Sequence, residues 1–267
     1  MKSMGWAHWN ARLCRAAVAS VLLLCAGAVS AADTGYGAAI DSAGRQRMLS
    51  QRIVKAYCQV GLNVTPELSR NQLTGSVRRF DAQLASLSRF SSNPAMRQAH
   101  ARLAKSWQPF RRVALRPNGR AGARELAERS EVVLAATNDF VQALQDAAGT
   151  PQARLVNIAG RERMLSQRLA MLYMLRAFGA DSPTLRDDMT AAFDEFSGAL
   201  TTLRTAPENT PEIDRELDAV ALQWDWFKNA LARQGAESYT YVVADASESI
   251  LNSMDLITAK YSQLARR

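Results

Sequence analysis

The sequence predicts an all-α protein made of two tandem up-down four-helix bundles, and three observations predict it. One ten-residue phrase occurs twice, AGRQRMLSQR from Ala43 to Arg52 and AGRERMLSQR from Ala159 to Arg168, 116 positions apart and differing only at Gln46 and Glu162. On the same offset Leu73, Val77, Phe80, Leu84 and Leu87 align with Met189, Phe193, Phe196, Leu200 and Leu203. Each set steps by 4, 3, 4 and 3, which lays one apolar seam along an amphipathic helix. Proline follows a capping residue at matched places: Thr65-Pro66 with Ser182-Pro183, and Asn93-Pro94 with Thr210-Pro211. There its missing N–H costs nothing, because the first turn of a helix has no intrahelical acceptor for it.

The first 32 residues are expected to be a secretory signal peptide. Lys2, Arg12 and Arg15 form a basic start, Ala16 to Val29 an apolar run, and Val29-Ser30-Ala31-Ala32 a small-residue cleavage site. An uncleaved membrane anchor would need a longer apolar run of about 20 residues. Helices are then expected over 36–62, 66–90, 94–115 and 122–148 in a first unit (33–150), and over 152–179, 183–205, 211–234 and 238–265 in a second (151–267). The repeat persists past one inserted residue: at offset 117, Leu103, Trp107 and Phe110 align with Val220, Trp224 and Phe227, and Ser130-Glu131 with Ser247-Glu248. Short connections favour antiparallel neighbours. The seams would also suit a coiled coil, but they stop at capped prolines, which favours compact bundles over a rod.

Composition narrows the function. Of 33 basic and 25 acidic residues, three basic ones leave with the leader, so the remaining chain carries about +5, a balance compatible with anionic ligands and too diffuse for nucleic acid. Cys14 and Cys25 leave as well, and Cys58 on an apolar stripe reads as a buried, inert thiol. His100 is the only histidine after the leader, and there is no HExxH, Gly-rich phosphate loop or Cys/His metal spacing, so neither catalysis nor a cofactor or metal is expected. Trp107, Phe110, Trp224 and Phe227 are spaced as core anchors, whereas Trp226 falls off that seam and is a candidate partner contact.

On a helical wheel the phrase separates its polar residues. Ile40, Ala43, Gly44, Val54 and Cys58 fall in one stripe with Arg47 and Gln51 inside it; Val156, Ala159, Gly160, Ala170 and Met174 form the second stripe, with Arg163 and Gln167 inside it. A guanidinium facing a packed surface must meet an anion, since a lone buried charge costs several kcal/mol. A carboxylate within the bundle, with Glu131 and Glu248 available, or a bound oxyanion gripped by the planar donor fork of arginine would serve. Gly44 and Gly160, each one turn before its arginine, suggest a close contact, since glycine inside a helix loses about 1 kcal/mol relative to alanine. Arg45, Arg52, Arg161 and Arg168 read as a solvated face, with Arg52 and Arg168 able to reach a ligand at its edge.

The phrase, following Ile40 or Val156-Asn157 and leading to Ile53 or Leu169, resembles the first-helix signature of the PilJ/NarX-type sensor domain of pilus chemotaxis transducers and nitrate/nitrite sensor kinases. The resemblance runs through both halves and implies periplasmic four-helix bundles. In the nitrate-sensing members an arginine from each of two subunits clasps one anion at a dimer interface. That arginine corresponds to Arg47 and Arg163, with Gly44, Met48, Ser50 and Arg52, and Gly160, Met164, Ser166 and Arg168, around it. RQRMLSQR and RERMLSQR are closer to the pilus-transducer version than to the nitrate sensors.

With no spanning helix, kinase core or methylation region in the sequence, a free-standing periplasmic protein is expected. Its candidate ligand-binding residues are Arg47, Arg163, Gln51, Gln167, Arg52, Arg168, Gly44 and Gly160, and its candidate ligand a small nitrate- or nitrite-like oxyanion. The alternative is an interaction module for a membrane receptor or a pilus or chemosensory partner, with the arginines in structural salt bridges. A homodimer, or an internal pseudodimer bringing Arg47 to Arg163, would build the paired site; end-to-end stacking would hold the two arginines about 30 Å apart, the rough length of a bundle.

Overall fold

A computed structural model describes residues 28–180, 182–233 and 237–264. The expected leader lies largely outside the described residues. Among the described residues eight α-helices follow one another: α1 (Ala28–Gly61), α2 (Pro66–Leu87, continued by a 3₁₀ turn at Ser88–Phe90), α3 (Pro94–Ala114), α4 (Arg120–Ala148), α5 (Pro151–Ala177), α6 (Pro183–Arg204), α7 (Pro211–Ala232) and α8 (Glu237–Leu264). There is no strand among the described residues, and no helix there is long and apolar enough to cross a membrane. α1 begins at Ala28, upstream of the expected cleavage site.

Local chemistry sets most helix starts. Asn93, Thr150, Ser182 and Thr210 each accept the backbone N–H three residues on, with proline at the first helical position. Thr65 departs from the expected pattern: at φ +40° its hydroxyl makes no cap bond and lies 3.4 Å from Ser69 Oγ. Ser69 Oγ turns back to donate to the carbonyl of Val64 at 2.8 Å.

In the first half α1 lies against α2 and α4, and α3 against α4; in the second, α5 lies against α6 and α8, and α7 against α8. The repeated seams meet as expected. Trp107 stacks on Phe80 with ring centroids 3.8 Å apart, and Trp224 stacks on Phe196 at 4.1 Å. Trp107 also donates its indole N–H to Asp81 at 2.7 Å, satisfying its one polar atom. Cys58 is fully buried, and burial pushes its thiol well above the ordinary range, as an inert core thiol requires. His100 is a boundary residue, 2.9 Å from the Leu84 carbonyl and edge-on to Phe140. Trp226 is 63% exposed, off the seam that Trp224 occupies.

The two halves are not stacked end to end. α1 packs along α5, and the buried apolar side chains of both halves form one continuous cluster. The connection explains how. α4 ends at Gly149, whose φ of +65° is the left-handed conformation that reverses the chain, and Thr150-Pro151 caps and starts α5 at once. α5 therefore runs antiparallel to α4 and parallel to α1, and the two copies of the phrase come level. Gly149→Val should lower stability by about 1–2 kcal/mol, the cost of a side chain in the left-handed region; denaturant unfolding of the variant measures it.

Candidate functional site

Where α1 crosses α5, the close approach is made by the two glycines. A Cβ on Gly44 would stand 3.9 Å from the Cα of Gly160, 3.3 Å from Arg47 Nη2 and 3.4 Å from Arg163 Nη2. A Cβ on Gly160 would stand 3.1 Å from Arg163 Nη2 and 3.4 Å from Arg47 Nη2. The glycines thus leave room for two guanidinium groups as well as for the opposing helix. Helical side chains lean toward the N-terminus, which brings each arginine head back one turn to the level of its own glycine. Arg47 and Arg163 converge on one point, far closer than end-to-end stacking would allow.

Their partners occupy equivalent positions and differ in chemistry. Arg163 Nη1 donates to Asp255 of α8 at 2.7 Å, and its Nη2 lies 2.7 Å from Asp41 Oδ1 of α1, an ion pair off the line of a straight hydrogen bond. Arg45 reinforces that cluster, bonding Asp255 at 2.9 Å and lying 3.5 Å from Asp41. Burial alone would lower the pKa of Arg45, but the two carboxylates outweigh it and hold the pKa above its ordinary value. On the repeat offsets Asp41 corresponds to Asn157 and Asp255 to Asn138. Arg47 accordingly meets amides: its Nη2 donates to Asn157 Oδ1 at 2.8 Å and to the Asn157 carbonyl at 3.2 Å, and its Nη1 reaches Asn138 Oδ1 at 3.4 Å. Arg47 is 2% exposed, its Nε has no partner, and burial, joined by the like charges of Arg161 and Arg163, pushes its pKa down to about 9. It therefore remains a cation at neutral pH, buried beside oxygens that carry no formal charge.

Two sequence expectations are corrected here. Glu131 and Glu248 do not meet Arg47 or Arg163. Glu248 on α8 holds Arg52 through two hydrogen bonds, and Glu131 on α4 accepts from Arg168 at 2.6 Å. These glutamates lie nearly two turns along the fourth helices from Asn138 and Asp255, so they are level with the later arginine of each phrase. Nor are Arg45, Arg52, Arg161 and Arg168 a solvated face. Arg52 crosses from the first half to the second and Arg168 from the second to the first, so the pair ties the halves together, while Arg161 pairs with Glu195 of α6. Each has an acid within reach on a neighbouring helix, which the wheel of a single helix cannot show.

Gln51 and Gln167 are fully buried. Gln51 Nε2 donates to Ser50 at 3.2 Å and its Oε1 accepts from Arg168 at 3.4 Å, whereas Gln167 Nε2 donates to the Ser247 carbonyl at 2.9 Å. Both lie one turn beyond the arginine pair, Gln51 touching the opposite half through Arg168 and Gln167 bonding within its own half. The structure thus brings all eight candidate residues to the α1/α5 seam or its edge.

The one difference between the two phrases also has a structural consequence. Gln46 donates to the Phe80 carbonyl at 3.4 Å; its counterpart Glu162 is wholly buried, with neither carboxylate oxygen partnered. Burial, and then the charge of Glu195, raise the Glu162 pKa well above the carboxylate range against the pull of Arg161. Because the folded-state pKa is the higher one, its contribution is complete below the unfolded pKa of about 4.5 and is lost as pH rises toward the folded value. Glu162→Gln should leave stability little changed near pH 4 and raise it progressively above that, a divergence that thermal unfolding across pH reads directly.

The description "Type IV pili methyl-accepting chemotaxis transducer N-term" matches the chain twice, over residues 28–140 and 149–247. The second match opens at Gly149, where the chain reverses between halves. No curated protein and no solved structure matches the chain. The two matches together span most of the sequence and agree with the two sets of four helices, and they connect the molecule with chemosensory signalling: the chain belongs to the PilJ family of chemotaxis-transducer N-terminal domains and carries two copies of that domain in tandem.

Proposed function

We propose that this is a periplasmic sensor-type protein that takes up one small oxyanion between its parallel phrase helices, at Arg47. The observation that carries the reading is the inequality of the two arginines. Arg163 has two carboxylates of its own chain, Asp41 and Asp255, while Arg47, equally buried, has only the oxygens of Asn138 and Asn157. A buried cation with no counter-charge in contact is destabilising by several kcal/mol, since Glu195 acts on Arg47 only from a distance, and a planar oxyanion accepting from the guanidinium, whose Nε has no partner, would remove that cost. Nitrate and nitrite have the planar shape and single charge that such a guanidinium pairs with, and the half that already holds carboxylates needs no second anion.

Binding would draw α1 and α5 together, because Arg47 on one helix and Asn157 on the other would both contact the ligand. An anion with higher affinity for the tightened arrangement shifts the population toward it, which is all that a sensory input requires. A chemosensory receptor or pilus-associated component is the partner that would read this change. The leader expected over residues 1–32 and the unit boundary near residue 150 form part of the same proposal. A structural role for the motif is the second reading, favoured at Arg52, Arg163 and Arg168 by the carboxylates they hold.

Calorimetry of the purified protein with nitrate and nitrite separates the two readings. Saturable heat at a stoichiometry of one per chain, abolished in Arg47→Ala, is the expected outcome. Asn157→Asp should also abolish it while raising the thermal midpoint, because the new carboxylate supplies internally what the anion supplies from outside. Unchanged heat in Asn157→Asp, or no heat with the unaltered protein, would sink the proposal.

A further inference from the structure

The pseudosymmetry breaks at a second place, away from the arginine pair. Lys55 on α1 is fully buried, and its ammonium group donates to Glu248 at 2.6 Å and to Ser247 Oγ at 3.0 Å. Glu248 thus receives two cations, Arg52 and Lys55, both from the opposite half. On the repeat offsets Lys55 corresponds to Met171, Ser247 to Ser130 and Glu248 to Glu131. Glu131 keeps the first cation, Arg168, but opposite it stands a thioether, and its side chain is 48% exposed. The place that a lysine ammonium fills in one half has no ammonium in the other.

At that place the surface is hollow. A cleft of about 460 Å³ opens between α4, α5 and α6, within the range of small-molecule sites. Its floor is apolar, formed by Met171, Leu172, Leu175 and Leu185, and its walls bring Glu128, Glu131 and Asp188 to the opening. Arg124 also lines it, and Arg168 lies 3.5 Å from Asp188. Three carboxylates against two guanidinium groups leave the opening one negative charge in excess, in a chain whose formal net charge is +8. An oxyanion is the wrong ligand for such a cleft.

We propose that the cleft between α4, α5 and α6 is a binding site for a small organic cation, a primary amine on an apolar stem, whose ammonium group takes at Glu131 the place that Lys55 Nζ takes at Glu248. The chain itself displays the recognition chemistry: an alkyl stem against helix side chains, ending in an ammonium group held by a glutamate. In the free ligand the stem lies on Leu172 and Leu175, and the ammonium group donates to Glu131 the charge-assisted hydrogen bond that Met171 cannot make. Occupancy bridges α4 of the first half to α5 and α6 of the second, so this ligand also bears on the packing of the halves. The site is independent of any anion at Arg47.

Phenethylamine titrated calorimetrically into the full protein is the test, with phenylacetate and ammonium chloride as contrasts that remove the positive charge and the apolar stem respectively. Saturable binding of phenethylamine is expected, about tenfold or more stronger than either contrast, the worth of one charge-assisted hydrogen bond. Met171→Lys should abolish it, because the new side chain places a tethered ammonium at Glu131 as Lys55 does at Glu248. Leu185→Trp fills the cleft from the opposite wall and should abolish binding too, so the test survives if the first variant fails to fold. No saturable heat with phenethylamine, equal binding of phenylacetate, or undiminished binding in a folded cleft-filling variant would overturn the assignment.

Discussion

Two guanidinium groups share the interior of this molecule at the crossing of α1 and α5, and much else follows from holding them there. Like charges brought together away from water cost several kcal/mol unless they are compensated, so the helices around the crossing must supply oxygens at defined heights. The second half supplies Asp255 and the first Asp41 to Arg163, while Asn138 and Asn157 surround Arg47. The glycines at the crossing give the heads room, and the parallel direction of the two helices, set by the reversal at Gly149, brings both heads to the same level. Packing of the halves and charge placement are therefore one constraint.

Farther along the seam, the same compensation turns into adhesion. Arg52 reaches Glu248 and Arg168 reaches Glu131, each across the boundary between halves, and Gln51 touches Arg168 from the other side. Replacing such pairs with apolar residues would not necessarily weaken the fold, since desolvating two charges offsets much of their attraction. What the pairs enforce is register. A slide of one turn between α1 and α8 would leave the buried Lys55 and the half-buried Arg52 without Glu248, a penalty that apolar packing alone does not impose.

Much of this was legible in the sequence. The helix starts followed from Asn93, Ser182 and Thr210 before proline, and the wheel placed Arg47, Arg163, Gln51 and Gln167 on a packed face, where all four are buried. A single-helix wheel has no information about which neighbour stands opposite, so Arg52 and Arg168 read as solvated although acids on other helices enclose them. Glu131 and Glu248 were recognised as available acids and assigned to the wrong arginines for the same reason. The difference between the two arginine sites did have a signal. Comparing the copies outside the phrase sets Asp41 against Asn157, Asp255 against Asn138, and Lys55 against Met171, three changes of charge within an otherwise shared frame. Repeats point to function by what they preserve, and here equally by where they diverge.

The two-residue connection at Gly149-Thr150 has a consequence for assembly. Two separate subunits would meet at a rate and extent set by their concentration, and identical subunits would carry identical residues at both sites of a twofold interface. A tether this short makes the encounter intramolecular, with an effective concentration far above that of any free partner. It also makes the pairing obligatory between unlike halves, so one chain can hold a carboxylate-filled arginine and an amide-lined one side by side without ever forming the mismatched combinations that two independently expressed subunits would produce by chance.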